Sequence, residues 1–162
     1  MTEAVLVRRI AARPAIVFDA LVTAEGIASW WGPDDLPVLA AVTDPRLHGS
    51  FRVRFRTLDG IEHECAGEFL EISKPSHVVL SWRWTDGGEP DERQTDNISR
   101  VEFRLRAIDT GTELTLIHSA LRTEVSARSH EGGWAGALMK LVRRYPPAPD
   151  ATVAATRAGD LP

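Results

Sequence analysis

Two histidines raise the question of chemistry first. His118 closes the run Leu114, Leu116, His118, whose alternation predicts an imidazole pointing inward near a strand end. His130 stands one helical turn before Trp134, on the same predicted helix face. A neutral imidazole in a cavity can accept or donate a hydrogen bond or act as an acid–base group. The plainer alternative, a histidine satisfied inside the core or at a cap, is the commoner role. His63 would be needed to complete a three-histidine metal site. No helical HxxxH and no zinc-like Cys/His spacing is present, so no metal and no cofactor is expected. No Ser-His-Asp arrangement, carboxylate pair or phosphate-binding loop emerges. Gly87-Gly88 sits in a polar stretch without the strand-to-helix context such a loop requires. Cys65 is the single cysteine. It reads as a small buried filler in a strand, and its solitude fits a reducing cytoplasm.

The aromatic residues are the second candidate set. Trp82 and Trp84 share the parity of Val78 and Leu80, so both are predicted to face inward. Trp134 and Leu138 fall on the apolar stripe of the last helix. Trp30 and Trp31 end a short helical segment at Gly32-Pro33. Phe51, Phe55 and Phe103 take the inward positions of two alternating strands. Such a set makes either a packed core or the wall of a ligand pocket, since pockets are mainly apolar and aromatic with a few polar groups. With His118 and His130 these residues form the candidate ligand site. Gly132, Gly133 and Gly136 interrupt the last helix and cost it stability. Gly133, beside Trp134, is expected to border the cavity, with packed atoms where a methyl would go.

These residues must be positioned by a mostly extended chain. Residues 3–12 read as a strand, Pro14 starts a short helix, and Thr23 caps a second one. Residues 36–43 form a weak strand. Phe51, Val53 and Phe55 alternate with Arg52, Arg54 and Arg56, and Val101, Phe103 and Leu105 with Arg100, Glu102 and Arg104. This period-2 pattern marks one buried and one wet face. Pairing of the arginines with Glu62, Glu64, Glu68 and Glu102 explains the charged side. Asp59-Gly60 and Asp109-Thr110-Gly111 read as hairpin turns. Residues 86–96 are polar and read as a flexible loop. In the segment 124–145, Trp134, Ala137, Leu138, Leu141 and Tyr145 form one helical stripe, stopped by Pro146-Pro147. The fold class is therefore α+β, with an antiparallel seven-stranded sheet, two short helices after the first strand and a long C-terminal helix. Residues 1–145 make one domain. Residues 146–162 lack apolar periodicity and are predicted to be disordered.

Composition narrows the function classes. A net charge of −4 argues against nucleic-acid partners. No apolar run reaches the roughly 18 residues of a membrane helix, so no membrane insertion is expected. The start, MTEAVLVRRI, lacks a secretion-signal pattern. The expected location is cytoplasmic, and a homodimer is compatible with the sequence.

In order along the chain stand Arg13-Pro14 with Val17 and Phe18, Trp30-Trp31-Gly32-Pro33, Gly49-Ser50-Phe51, and Gly67 with Ile72. Leu80-Ser81-Trp82, Thr112 to Leu116 ending on His118, and His130 with Gly133-Trp134 follow. Together, over about Val5 to Leu141, they resemble the START-like or helix-grip superfamily of the birch-pollen allergen and the polyketide cyclases. Within it the chain is similar to the bacterial branch related to the activator of a heat-shock-protein ATPase. The resemblance implies a curved antiparallel sheet gripping the last helix, with a cavity between them. It also implies a small hydrophobic or aromatic ligand. The rival readings are an enzyme, such as a cyclase or hydrolase of an aromatic or polyketide-like compound, and a co-chaperone-like partner protein. A binding protein is favoured, because only His118 and His130 are visible as acid–base candidates.

Overall fold

A computed structural model describes residues 2–148. Strand β1 (Thr2–Ile10) leads into helices α1 (Pro14–Val22) and α2 (Ala24–Ala28). Six strands follow: β2 (Ala40–Thr43), β3 (Ser50–Arg56), β4 (Glu62–Ser73), β5 (His77–Asp86), β6 (Ser99–Ile108) and β7 (Gly111–Leu121). Helix α3 (Glu124–Arg144) ends the fold. The strands form one antiparallel sheet in the order β1-β7-β6-β5-β4-β3-β2. Consecutive strands from β2 to β7 are neighbours, as tight turns dictate. The first strand joins the edge beside the last.

Local chemistry sets the helix boundaries. Pro14 occupies the first turn of α1, where its missing N–H costs nothing. The Thr23 hydroxyl accepts from Gly26 N and caps α2, as its sequence position predicts. Thr123 caps α3 in the same way through Ser126 N, and Arg143 and Arg144 sit in the last turn, where the helix dipole favours cations.

The alternations hold. Phe51, Val53 and Phe55, Val101, Phe103 and Leu105, and Leu114, Leu116 and His118 are all buried on the inner face. Trp134, Ala137, Leu138 and Leu141 of α3 pack into the same continuous core. On the outer face, Arg54 joins Glu62, Glu64 and Asp86, and Arg106 joins Glu113. Arg52 and Glu68 take no part in these pairs. Glu102 is deeper, its side chain 8% exposed beneath Arg100, Arg104 and His77. Burial pushes its carboxyl up, but hydrogen bonds from His77 and Arg104 and the arginine charges outweigh that and hold it down to about 2.

Two expectations need correction. The strand predicted over 36–43 shrinks to Ala40–Thr43, because Pro37 has no N–H to give a ladder. The stretch 86–96 is not a featureless loop. Pro90–Arg93 forms a 3-10 turn closed by a reciprocal capping box between Glu89 and Glu92. Of the segment predicted to be disordered, residues 149–162 lie outside the described part of the chain. No helix among the described residues is long and apolar enough to cross a membrane.

Candidate functional site

A cavity of about 420 Å³ opens between α3 and the β3–β4–β5 part of the sheet. Its floor is aromatic. Trp82 lies parallel to Trp31 at 5.6 Å between ring centroids, while Trp134 meets Trp31 edge-on at 5.3 Å and Trp84 meets Trp82 edge-on at 5.4 Å. Phe55 adds a further face, backed by His63 stacked at 5.4 Å from the opposite strand position. Ile61, Pro33 and Ala137 fill the apolar rim.

Each of these side chains is placed by its element. Trp82 and Trp84 project from β5 to one side. Trp30 and Trp31 are adjacent and diverge. Trp30 turns under the helices, where its Nε1 donates to the Ala20 carbonyl at 2.8 Å, and Trp31 is left for the cavity. The segment carrying Trp31 is tied to α3 from both directions. Lys140 Nζ donates to the Trp31 and Asp34 carbonyls at 2.9 and 2.7 Å, and Pro33 lies directly against Gly136.

The expectation for Gly133 is corrected here. Gly133 does line the cavity, but a methyl on it would meet no atom within 4 Å. Gly136 is the glycine required by packing, since a methyl there would sit 2.1 Å from the Pro33 carbonyl oxygen. The phase of the stripe is right, and the close approach comes one turn later.

The polar atoms form three chains, each centred on a histidine. Trp134 Nε1 donates to His118 Nδ1 at 3.0 Å. The proton of His118 therefore sits on Nε2, which donates to Ser99 Oγ at 2.8 Å. Trp84 Nε1 donates to His130 Nε2 at 3.0 Å, which puts the His130 proton on Nδ1, pointing at the Ser126 carbonyl at 2.7 Å. Gly88 N donates to His63 Nδ1 at 2.9 Å, leaving Nε2–H for Thr57 Oγ1 at 3.1 Å. The three rings are thus neutral, with the lone pair of each already accepting an N–H. His118 and His130 lie 4.6 Å apart. Burial, and then the neighbouring His130, push His118 well below the ordinary histidine value of 6.5.

Glu92 is a polar residue that no periodicity or motif singles out. The 3-10 turn brings it against the first turns of α3, where Oε1 accepts from Ser126 Oγ at 2.8 Å and Oε2 accepts from Glu89 N at 3.2 Å. Its side chain is only 14% exposed. Asp59 and Glu89 add carboxylates at the mouth. The hydrogen bond from Thr57, followed by one from Ile61 N, holds Asp59 below the usual carboxylate range. Trp82 Nε1 is the one buried side-chain donor without a partner among the described residues.

Of the eleven candidates from the sequence, Trp31, Phe55, Trp82, Trp84, His130 and Trp134 meet at the cavity. Trp30, Phe51, Phe103, His118 and Leu138 lie behind that wall, in the core. His63 shares the parity of buried Cys65 and Phe69, so its inward position was readable. Glu92 and Thr57 had no local signal. Among the described residues no three His, Cys, Asp or Glu side chains converge on a metal site. Cys65 is fully buried, which pushes its thiol far up and leaves it unreactive.

Residues 11–145 match the family model described as "Activator of Hsp90 ATPase homolog 1-like protein". No curated protein matches the chain significantly. Among solved structures, the AHSA1 protein of Silicibacter pomeroyi is 26% identical, with a TM-score of 0.74 covering 88% of this chain and 96% of its own. A protein of Chromobacterium violaceum is 18% identical, with a TM-score of 0.74 over 91% of this chain and all of its own, 100%. One from Nitrosomonas europaea is 19% identical, with a TM-score of 0.70 over 87% and 92%. The last two speak for the fold alone.

Proposed function

We propose, from the premise that this chain belongs to the activator of Hsp90 ATPase homolog 1-like family, within the START-like helix-grip superfamily, that it binds a small hydrophobic, largely aromatic ligand between the sheet and α3. Fold alone does not assign a function. The observation that carries the reading is a cavity of about 420 Å³ whose floor is four tryptophans and a phenylalanine, within the usual size range of small-molecule sites and lined as they are. The histidine chains argue against a histidine base. A general base needs a free lone pair within reach of the substrate, and His63, His118 and His130 have each committed theirs to an N–H donor.

The family description supports a second reading, a partner of an Hsp90-type ATPase. The cavity reading draws on this chain's own side chains, so we rank it first.

The test is a titration with uncharged bicyclic aromatic compounds, read by tryptophan fluorescence and backbone NMR shifts. Shifts are expected around Trp82, Trp84 and Trp134. Shifts confined to the arginine-bearing outer face would refute the reading.

A further inference from the structure

The cavity combines two features that need a third. Its aromatic faces present negative quadrupole potential to whatever lies against them. Its ionisable lining consists of Asp59, Glu89, Glu92 and two histidines, with no lysine or arginine. Two nearby cationic side chains, Lys140 and Arg93, are engaged with carbonyls, the first of Trp31 and Asp34 and the second of Gly87 and Gly88.

Glu92 sharpens the point. Other strongly shielded carboxylates are paired with arginine: Glu102 with Arg100 and Arg104, and Glu64 with Arg54. Glu92 is comparably shielded, yet among the described residues its one basic neighbour within 4 Å is His130 Nδ1 at 3.8 Å. His130 supplies no charge, because Nε2 accepts from Trp84 and the Nδ1 proton faces the Ser126 carbonyl. A carboxylate taken this far out of water without a counter-charge is unfavourable. A cation in the cavity would supply that counter-charge.

We propose that the cavity selects a protonated or quaternary organic amine carrying a flat apolar body. This rests on the cavity-binding reading and adds the charge of the ligand. The apolar body lies among Trp31, Trp82 and Trp134, and the ammonium group stays at the end where Glu92 and the Trp84 face converge. Asp59 and Glu89 at the mouth raise the local concentration of cations.

The experiment compares three naphthyl-bearing probes on the full chain by calorimetry and tryptophan fluorescence. They are naphthylmethyl-trimethylammonium, its uncharged carbon isostere neopentylnaphthalene, and the anion naphthylacetate. The cation is expected to bind about tenfold tighter than the isostere, the size of a desolvated cation–π contact with a carboxylate behind it. The anion should bind weakest. Glu92→Gln keeps the acceptor for Ser126 and suits a capping box, so it should fold. It is expected to bring cation and isostere to within about twofold of each other. If the isostere binds as tightly as the cation, or Glu92→Gln leaves the preference intact, the charge assignment is overturned and the cavity reading stands. If none of the three binds, both fall.

Discussion

Replacing Gly136 with alanine tests the geometry of the grip directly. The added Cβ would stand 2.1 Å from the Pro33 carbonyl oxygen, 2.9 Å from its carbon and 3.1 Å from its Cα. All three are backbone atoms, so no side-chain rotation relieves the contact. Either α3 lifts or the Trp31–Pro33 segment retreats by roughly 1.4 Å, since non-bonded heavy atoms rest about 3.5 Å apart. Retreat also stretches the Lys140 bonds to Trp31 and Asp34. Overpacking of this kind costs about 1–3 kcal/mol, while removing a helical glycine returns about 1 kcal/mol. The overlap is with backbone on both sides, which places the cost at the upper end, so the net expectation is a loss of about 2 kcal/mol, or a melting temperature lower by about 4–8 °C for a chain of this size. Gly133→Ala is the internal control. Its methyl meets nothing within 4 Å, so it should gain up to about 1 kcal/mol from helix propensity alone. Urea denaturation of the two variants beside the wild type measures both. A Gly136→Ala protein as stable as the wild type, or less destabilised than Gly133→Ala, would show that Pro33 does not press on the helix and refute the account of how the cavity is closed.

The two tryptophan–histidine bonds should differ in cost. Trp134→Phe strands His118 Nδ1 in a fully buried site and is expected to lose about 1–3 kcal/mol through that acceptor alone. Trp84→Phe exposes His130 Nε2 toward the cavity, where water can replace the indole, and should lose about 0.5–1.5 kcal/mol; denaturant titration in which Trp84→Phe is the costlier would contradict the assignment. The pH dependence follows from two depressed groups. His118 is held neutral in the fold, so the unfolded chain binds the extra proton, and stability is full above the ordinary value of 6.5 and falls as pH drops below it. Glu102 sits at about 2 against 4.5, so its contribution is present above 4.5 and is lost between there and about 2. Chemical denaturation across this range should show both arms, with Glu102→Gln flattening the lower one, and a stability that rises on acidification from neutral pH would contradict both.

The sequence by itself determined the faces. Alternation along Phe51–Phe55, Val101–Leu105 and Leu114–His118 told inward from outward because strand geometry repeats every two residues. The spacing of Trp134, Ala137, Leu138 and Leu141 did the same for the helix. Hairpin turns left little choice of strand order, and Thr23 and Pro14 placed the short helices through local hydrogen-bonding rules. Periodicity assigns a side but not a depth, so it could not separate Trp31 and Trp84, which wall the cavity, from Trp30 and Phe103, which lie in the core behind it. That separation depends on how α3 packs on the sheet and on the Trp31–Pro33 segment, where Gly136 meets Pro33 and Lys140 holds Trp31 and Asp34, all far apart in the chain. The same holds for charge and protonation. Glu92 looked like one acid in a polar loop until the 3-10 turn laid it against Ser126 and His130. The proton positions on His118, His130 and His63 depend on donors from Trp134, Trp84 and Gly88. Of these, only the Trp134 donor lies within 20 residues of its histidine, and even that pair joins a helix to a strand. Such groups meet only when helix and sheet have packed, because hydrogen bonds and desolvation act over a few ångströms of space and carry no trace along the chain.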